Sequence, residues 1–188
     1  MADQLDWVSP AADRECRRIP PTGILGSVTG DSQRPERPIR YFEDYVPGLT
    51  VDCGTFSVSE EEIVAFAKEY DPQPSHTDPV AAAESPVGGL IASGWQTTIL
   101  SMRLLAEHFI SGETGLGAAG IDEIRWPRPV RPGDTLRVRA TVADARRSRS
   151  KPDRGIVHSV TEITNADGET VMTMKATNFF LTRQPSAG

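Results

Sequence analysis

The chain has 188 residues, 38% of them apolar, and a formal net charge of −6. This length fits one domain, or one domain with a tail, and the acidic balance argues against a nucleic-acid partner, because phosphate-backbone binders present a basic surface. The two cysteines, Cys16 and Cys53, are too few for a disulfide framework. We see no secretion signal and no run near the ~18 apolar residues of a membrane span, so we expect a cytoplasmic protein without a membrane partner.

The start of the chain is rich in proline and lacks apolar periodicity. Five prolines fall within residues 1–38, and no helical or strand spacing of apolar residues accompanies them. Such a segment buries too little apolar surface to offset the entropy of ordering it. We therefore expect a mobile N-terminal arm over residues 1–38, followed by one folded domain over residues 39–184.

A helix with a clear start follows a predicted strand at residues 50–57. Ser59 and Glu62 match a capping box ahead of several apolar residues. Pro72 disfavours helical geometry in the residue before it, so this helix must end there. A second, short helix is predicted over residues 78–84.

The most apolar segment, residues 92–109, predicts a helix roughly 27 Å long. Its apolar side chains recur at spacings of three and four residues, and the main ones are Trp95, Ile99, Met102, Leu105 and Phe109. A helix that is apolar over most of its circumference belongs inside a fold. We therefore expect this stripe to be buried at the centre of the domain.

The remaining residues predict antiparallel strands. Residues 135–143 alternate apolar and polar side chains, as a half-buried strand does. Residues 154–164 and 170–182 flank an Asn-Ala-Asp-Gly hairpin signal. Another strand is expected near residues 118–126, and the glycine-rich stretch at residues 112–120 is interpreted as a flexible loop. One long helix with several half-buried strands predicts an α+β fold in which the sheet wraps around the helix.

The segment between the first two helices carries the strongest chemical signal. Asp71 and His76 stand five positions apart on a loop that two prolines stiffen, and we expect this loop to be a non-helical turn. It can hold a carboxylate and an imidazole against one small molecule, water included, as general acid–base catalysis requires. The alternative is structural: Asp71 caps a turn, and His76 caps the helix that Asp78 starts.

Three motifs lie in order along the chain: DPQPSH at residues 71–76, GGLIASGW at residues 88–95 and RWPRPVRPGDTL at residues 125–136. The first resembles the hydratase motif of the MaoC-like dehydratase and (R)-specific enoyl-CoA hydratase family. The second is similar to that family's turn into its central helix, and the third to its strand connector. The resemblance covers most of the chain and implies the hot-dog fold, an antiparallel sheet wrapped around a long central helix.

The resemblance also implies roles for single residues. Asp71 and His76 would hold the water that is added across a double bond. The backbone N–H of Gly94 would face the thioester carbonyl, where a helix N-terminus favours developing negative charge. The alternative for Gly94 is that it is a glycine required only for packing.

Three more motif residues are predicted to contact substrate: Gln73, Ser93 and Trp95. Gln73 stands where the family has asparagine, and it is a longer amide that can still orient the aspartate. Ser93 stands where a histidine is common. We expect these departures to affect the identity of the substrate more than the type of reaction.

Arginines outside this segment are candidates for contact with the phosphates of a CoA substrate. A planar guanidinium donates two parallel hydrogen bonds to phosphate. The alternative for a cluster at a strand end is a solvated hairpin. The candidates are Arg146, Arg147, Arg149 and Lys151 at the end of a predicted strand, and Arg128 and Arg131 in the connector.

The reaction that the resemblance implies is hydration of a trans-2-enoyl-CoA, or dehydration of a (3R)-hydroxyacyl-CoA, without a metal or redox cofactor. One alternative is a hot-dog thioesterase, in which Asp71 directs water at the carbonyl. The other is a non-catalytic acyl-CoA-binding subunit, which would not need an acid–histidine pair. His108 and His158 lack clustered ligand partners, which favours structural roles over a metal site.

The hot-dog resemblance also implies a homodimer, or a larger assembly of dimers. A sheet that wraps one side of a helix leaves strand edges and apolar surface that need cover. In the dimer that the family forms, two subunits make one continuous sheet.

Overall fold

The computed structural model describes residues 39–184, so the predicted N-terminal arm lies outside the described residues. A turn of 3-10 helix at Phe42–Asp44 precedes the main elements. In chain order these are β1 Thr50–Ser57, α1 Glu60–Tyr70, α2 Pro74–Thr77, α3 Pro79–Glu84, α4 Gly94–His108, β2 Gly115–Arg125, β3 Thr135–Arg147, β4 Arg154–Thr164 and β5 Thr170–Leu181. In this part of the chain, no helix has the length and apolar character needed to cross a membrane.

The strands form one antiparallel sheet in the order β1-β3-β4-β5-β2, with α4 packed against β1 and β3. The alternation predicted for β3 is confirmed. Its inward side chains, at most 1% exposed, are Leu136, Val138, Ala140 and Val142. Burying one face of the sheet against the long helix gives the predicted α+β architecture.

Helix α1 begins at the predicted capping box. The Glu62 N–H donates to Ser59 Oγ at 3.2 Å, and the Ser59 N–H donates to the Glu62 carboxylate at 2.9 Å. The helix then buries Ile63, Phe66 and Ala67. The first turn is thereby closed, and α1 runs to Tyr70, where it delivers the next residue to the candidate site.

Helix α4 differs from the prediction in the face that it buries. Leu105 and Phe109 are buried as expected, but Trp95, Ile99 and Met102 are 55%, 49% and 38% exposed. The expectation that the whole apolar stripe lies inside the domain is therefore wrong for the first half of the helix. Helical periodicity predicts which side of a helix is apolar, but it does not predict which surface packs against that side.

The buried face of α4 is largely polar instead. Its side chains are Gln96, Thr97, Thr98, Ser101 and Leu105. Small hydroxyl side chains let the helix approach the sheet closely, and two of them bond to the helix itself. Thr98 donates to the Gly94 carbonyl at 2.8 Å, and Ser101 donates to the Thr98 carbonyl at 2.7 Å.

Two local expectations are also wrong. The proline loop contains the helical turn α2, because Pro74 at its first position presets the helical φ. The glycine-rich stretch is strand from Gly115 onward, paired with β5 through three irregularities of register. Gly117 adopts a φ of +98°, which a glycine tolerates without strain. Glycine thus lets β2 bulge and stay paired.

Gly155 shows how closely the 3-10 helix packs on the sheet. A Cβ built on Gly155 would overlap the ring of Phe42. Gly155 pairs with Arg147 of β3 and Phe180 of β5, so the backbone cannot shift without loss of ladder bonds. The absence of a side chain at this position is what lets Phe42 lie on β4.

We predict that Gly155→Ala lowers the free energy of unfolding by about 1–3 kcal/mol, the usual cost of overpacking. Gly112→Ala is the matched control, because no atom lies within 4 Å of a Cβ at Gly112. Urea unfolding followed by circular dichroism measures both variants. Equal midpoints for Gly155→Ala and the parent protein would contradict the role assigned to this contact.

Candidate active site

The three motifs meet at the N-terminal end of α4. The Ile91 N–H donates to the Ser75 carbonyl at 3.1 Å and ties the loop before α4 to α2. The Ala92 N–H donates to the Val130 carbonyl at 2.8 Å and ties the same loop to the connector between β2 and β3. These two hydrogen bonds hold the loop before α4 between α2 and the connector.

Asp71 and His76 face each other across a short gap. Oδ2 of Asp71 lies 3.6 Å from Nε2 of His76, and the two side chains are 19% and 10% exposed. This distance is longer than a direct hydrogen bond and too short for an oxygen in line between the two atoms, but it lets both groups hydrogen-bond to one oxygen that lies beside them. The structure therefore brings the predicted pair together in a largely enclosed place.

The alternative in which His76 caps the helix that follows it is wrong. Asp78 caps α3, and its carboxylate accepts hydrogen bonds from the N–H groups of Val80 and Ala81. Asp71 does take part in a turn, because its backbone carbonyl accepts from the Gln73 N–H at 2.7 Å. That contact uses the main chain of Asp71 and leaves its carboxylate to the site.

The backbone sets the proton arrangement of His76. Nδ1 of His76 lies 2.8 Å from the carbonyl oxygen of Ile91. A carbonyl only accepts, so Nδ1 must carry the hydrogen and donate it. In the neutral imidazole, Nε2 therefore holds the lone pair, and this atom faces Asp71. The ring is oriented as a general base requires.

The Asp71 carboxylate receives two short hydrogen bonds. Gln73 Nε2 donates to Oδ1 and Ser93 Oγ donates to Oδ2, each at 2.7 Å. These bonds, that of Gln73 first, lower the pKa of Asp71 below its usual value, and nearby His76 lowers it further. Asp71 is thus held as a carboxylate. Gln73 and Ser93, predicted as substrate contacts, both bind Asp71.

Gly94 opens α4 directly after Ser93, its N-cap. Ser93 Oγ accepts from the Trp95 N–H at 3.2 Å, whereas the first N–H groups of a helix have no partner within the helix. A Cβ on Gly94 would lie 2.7 Å from the indole of Trp126. Packing therefore requires a glycine here, and the same position places a helix N-terminus at the site.

These elements line a cavity of about 630 Å³ that is open to solvent on one side. Its walls carry the predicted residues Asp71, Gln73, His76, Gly94 and Trp95 and the candidate phosphate contact Arg128. They also carry Thr97 and Trp126, for which the sequence predicted no role at the site. Trp95 and Trp126 meet edge to face with ring centroids 5.4 Å apart. No local sequence signal identifies Trp126, because its contact with Gly94 joins two distant segments of the chain.

The strand-end arginines lie elsewhere in the subunit. Val171 at the start of β5 lines the cavity, whereas Arg147 pairs with Gly155, which pairs with Phe180 near the end of β5. Val171 and Phe180 are nine residues apart along β5, which corresponds to about 30 Å of strand. Arg147 contacts Glu43 at 2.7 Å. Within one subunit the structure does not bring Arg146, Arg147 or Arg149 to the cavity.

Other polar clusters show no comparable arrangement. His158 Nδ1 lies 3.0 Å from Thr177 Oγ1, which donates to Asp122 at 3.0 Å, so this histidine bonds within the sheet. Among residues 39–184, no group of three or more His, Cys, Asp or Glu side chains is placed to hold a metal ion.

Comparison with known proteins agrees with this geometry. The protein is similar to a MaoC-like dehydratase from Rhodospirillum rubrum, whose structure superposes with a TM-score of 0.72 at 40% identity, over 77% of this chain and 99% of that one. An (R)-hydratase from Pseudomonas aeruginosa superposes with a TM-score of 0.62 at 24% identity, over 77% of this chain and 86% of that one. This second likeness shows the fold alone.

A curated relative also matches. Mesaconyl-CoA hydratase of Haloarcula marismortui is 38% identical over 69 residues, which are 36% of this chain and 19% of that protein. The chain thus spans only a small part of this relative. Residues 41–164 match the family profile described as the MaoC-like domain. The chain therefore belongs to the MaoC-like dehydratase family and has the hot-dog fold that its three motifs predict.

Proposed function

We propose that this protein is an acyl-CoA hydro-lyase, which adds water to a trans-2-enoyl-CoA or removes it from a (3R)-hydroxyacyl-CoA. The observation that carries the proposal is the enclosed Asp71–His76 pair, with its 3.6 Å gap and its oriented imidazole. The family and the hydratases among its relatives support this class of reaction. The location predicted from the sequence, the cytoplasm, stays part of the proposal.

In the hydration direction, one water hydrogen-bonds to both the Asp71 carboxylate and Nε2 of His76. His76 Nε2 takes one proton from water while the water oxygen bonds to Cβ of the substrate. The electron pair of the double bond moves to Cα and onto the thioester oxygen, which becomes an enolate. The Asp71–His76 pair of side chains then delivers a proton to Cα, and the enolate electrons form the new C–H bond. Dehydration runs through the same steps in reverse.

Each group has a physical reason for its role. Asp71 stays ionised, so it attracts the developing imidazolium and holds the second hydrogen of water. Each oxygen of the Asp71 carboxylate accepts one hydrogen bond, from Gln73 or from Ser93, and can accept another. The Gly94 N–H, at the positive end of α4, faces the enolate oxygen. Substrate contact by Trp95 remains part of this proposal.

We predict that Asp71→Asn and His76→Ala each lower hydratase turnover by at least roughly 10²-fold, the usual loss for a positioned acid–base group. His108→Ala is the matched control, since His108 is an exposed imidazole outside the cavity. Circular dichroism verifies that each variant is folded. Near-normal turnover in either variant of the pair would contradict the acid–base assignment.

One assay on a panel of CoA thioesters separates this function from the two alternatives. A hydratase removes the enoyl-thioester absorbance without releasing thiol. A thioesterase releases free thiol, and a non-catalytic binding subunit does neither. The panel also identifies the acyl chain that is turned over fastest.

The CoA phosphates need cationic partners on this acidic protein. Arg128 lines the cavity and makes an exposed ion pair to Glu169 at 3.2 Å, which is worth little. Arg131 is engaged in holding the turn before α4, because it donates to the Val87 carbonyl at 2.7 Å. The cluster at Arg146, Arg147 and Arg149 would reach a ligand in this cavity only from a second subunit.

We predict that joint replacement of Arg146, Arg147 and Arg149 raises KM for a CoA thioester several-fold with kcat nearly unchanged, because uniform binding is lost. Arg128→Gln tests the connector in the same way. Pantetheine thioesters, which lack the nucleotide, are the control substrates. If the ratio of KM for the CoA thioester to KM for the pantetheine thioester is the same in a variant as in the parent protein, the replaced arginines do not bind the nucleotide.

The protein is also proposed to be a homodimer, or an assembly of dimers. The exposed side of α4 presents Trp95, Ile99 and Met102, and β2, which ends the sheet, exposes half of Ile121. An apolar helix face beside a strand edge with unpaired backbone groups favours pairing with a second copy. Such pairing would cover the face that the fold leaves open.

Light scattering should give at least twice the monomer mass of 20.4 kDa at micromolar concentration. Ile99→Glu is expected to shift the protein toward the monomer, because it places a charge in the contact. Val80→Glu is the control, since Val80 is 72% exposed and lies on α3 rather than on α4. A parent protein of 20.4 kDa would count decisively against the dimer.

A further inference from the structure

Thr97 is a buried residue in the cavity wall with an unused hydroxyl. Its side chain is 1% exposed, and it lines the same cavity as Asp71, His76 and Gly94. Within the part of the chain that the structure describes, its Oγ1 makes no hydrogen bond to another residue. Among the described residues the fully buried side-chain atoms without a partner are Gln96 Oε1 and Thr182 Oγ1, so the Thr97 hydroxyl is open to the cavity, where water or a ligand can supply its partner.

The neighbouring hydroxyls of α4 behave differently. Thr98 Oγ1 donates to the Gly94 carbonyl and lies 3.6 Å from Met172 Sδ, and Ser101 Oγ donates to the Thr98 carbonyl. Both are therefore satisfied inside the protein. Of these three residues, Thr97 is the one that lines the cavity and keeps its hydroxyl for something else.

The position of Thr97 on the helix determines what its hydroxyl can reach. Residues three apart share one face of a helix, and side chains tilt toward the helix N-terminus. The Thr97 side chain therefore lies over the turn that Gly94 opens. Its hydroxyl and the N–H groups at the start of α4 point to one region of the cavity.

We propose that Thr97 is a further catalytic residue, whose hydroxyl donates a hydrogen bond to the thioester carbonyl oxygen beside the Gly94 N–H. This inference rests on the proposed hydratase function. As Cβ bonds to oxygen, negative charge moves onto the carbonyl oxygen, and the O–H···O bond strengthens. The proton stays on Thr97, so the residue stabilises the enolate without changing the proton balance of the reaction.

Three variants test this role. Thr97→Val keeps the shape and removes the hydroxyl, Thr97→Ser keeps the hydroxyl, and Thr98→Val removes a neighbouring hydroxyl that does not line the cavity. With an enoyl-CoA substrate, Thr97→Val should lower kcat on the order of 10²-fold, the loss typical of one oxyanion donor, and leave KM little changed. Thr97→Ser should restore most of kcat, and Thr98→Val should retain it.

A second measurement reads the hydrogen bond directly. Carbonyl-labelled butyryl-CoA has no double bond to hydrate, so its infrared carbonyl stretch can be recorded while bound. The stretch should lie at higher frequency on Thr97→Val than on the parent protein or Thr97→Ser, because one donor is missing. If Thr97→Val does not fold, Thr97→Ala takes its place in both measurements.

Either of two results would overturn the role of Thr97: parental kcat in Thr97→Val, or an unchanged carbonyl frequency. An equal loss of kcat in Thr98→Val would overturn it too, since the loss would then come from disturbance of the helix. A parent protein that hydrates no enoyl-CoA would instead overturn the proposed function. The infrared measurement needs only binding, so the two failures are distinguishable.

Discussion

The hydrogen bond from Ser93 to Asp71 is the contact on which the geometry of the site depends. Ser93 is fully buried and caps α4, and its hydroxyl both accepts from the Trp95 N–H and donates to the carboxylate. One oxygen thus joins the beginning of α4 to the end of α1. The base and the helix N-terminus are positioned by two packed elements rather than by a loose loop, which favours a precise site.

Helix α4 serves two surfaces with two different sets of side chains. Toward the sheet it presents small hydroxyl residues that permit close approach, and away from the sheet it presents Trp95 and Ile99. The described part of the subunit leaves this apolar face exposed. In the proposed dimer, binding of a second copy and binding of substrate would use the same helix.

Much of the fold could be predicted because its signals are local. The capping box at Ser59, the alternation of β3 and the turn before β5 each depend on residues a few positions apart, and all three are found. The pairing of Asp71 with His76 was predictable for the same reason. The contact of Trp126 with Gly94 was not, because it joins residues 32 positions apart (126 minus 94) through packing alone. The surface that covers the apolar face of α4 was not predictable either, since an apolar pattern does not indicate which surface packs against it.

The indole of Trp126 occupies the space that any side chain at Gly94 would need. A methyl group at position 94 would force the Trp126 ring to move, and that ring contacts Trp95 and lines the cavity. The two positions therefore cannot change independently. Among relatives that keep this arrangement, a larger residue at the helix start should appear only together with a smaller one in the connector, so the pair should covary although neither residue carries out chemistry through its side chain.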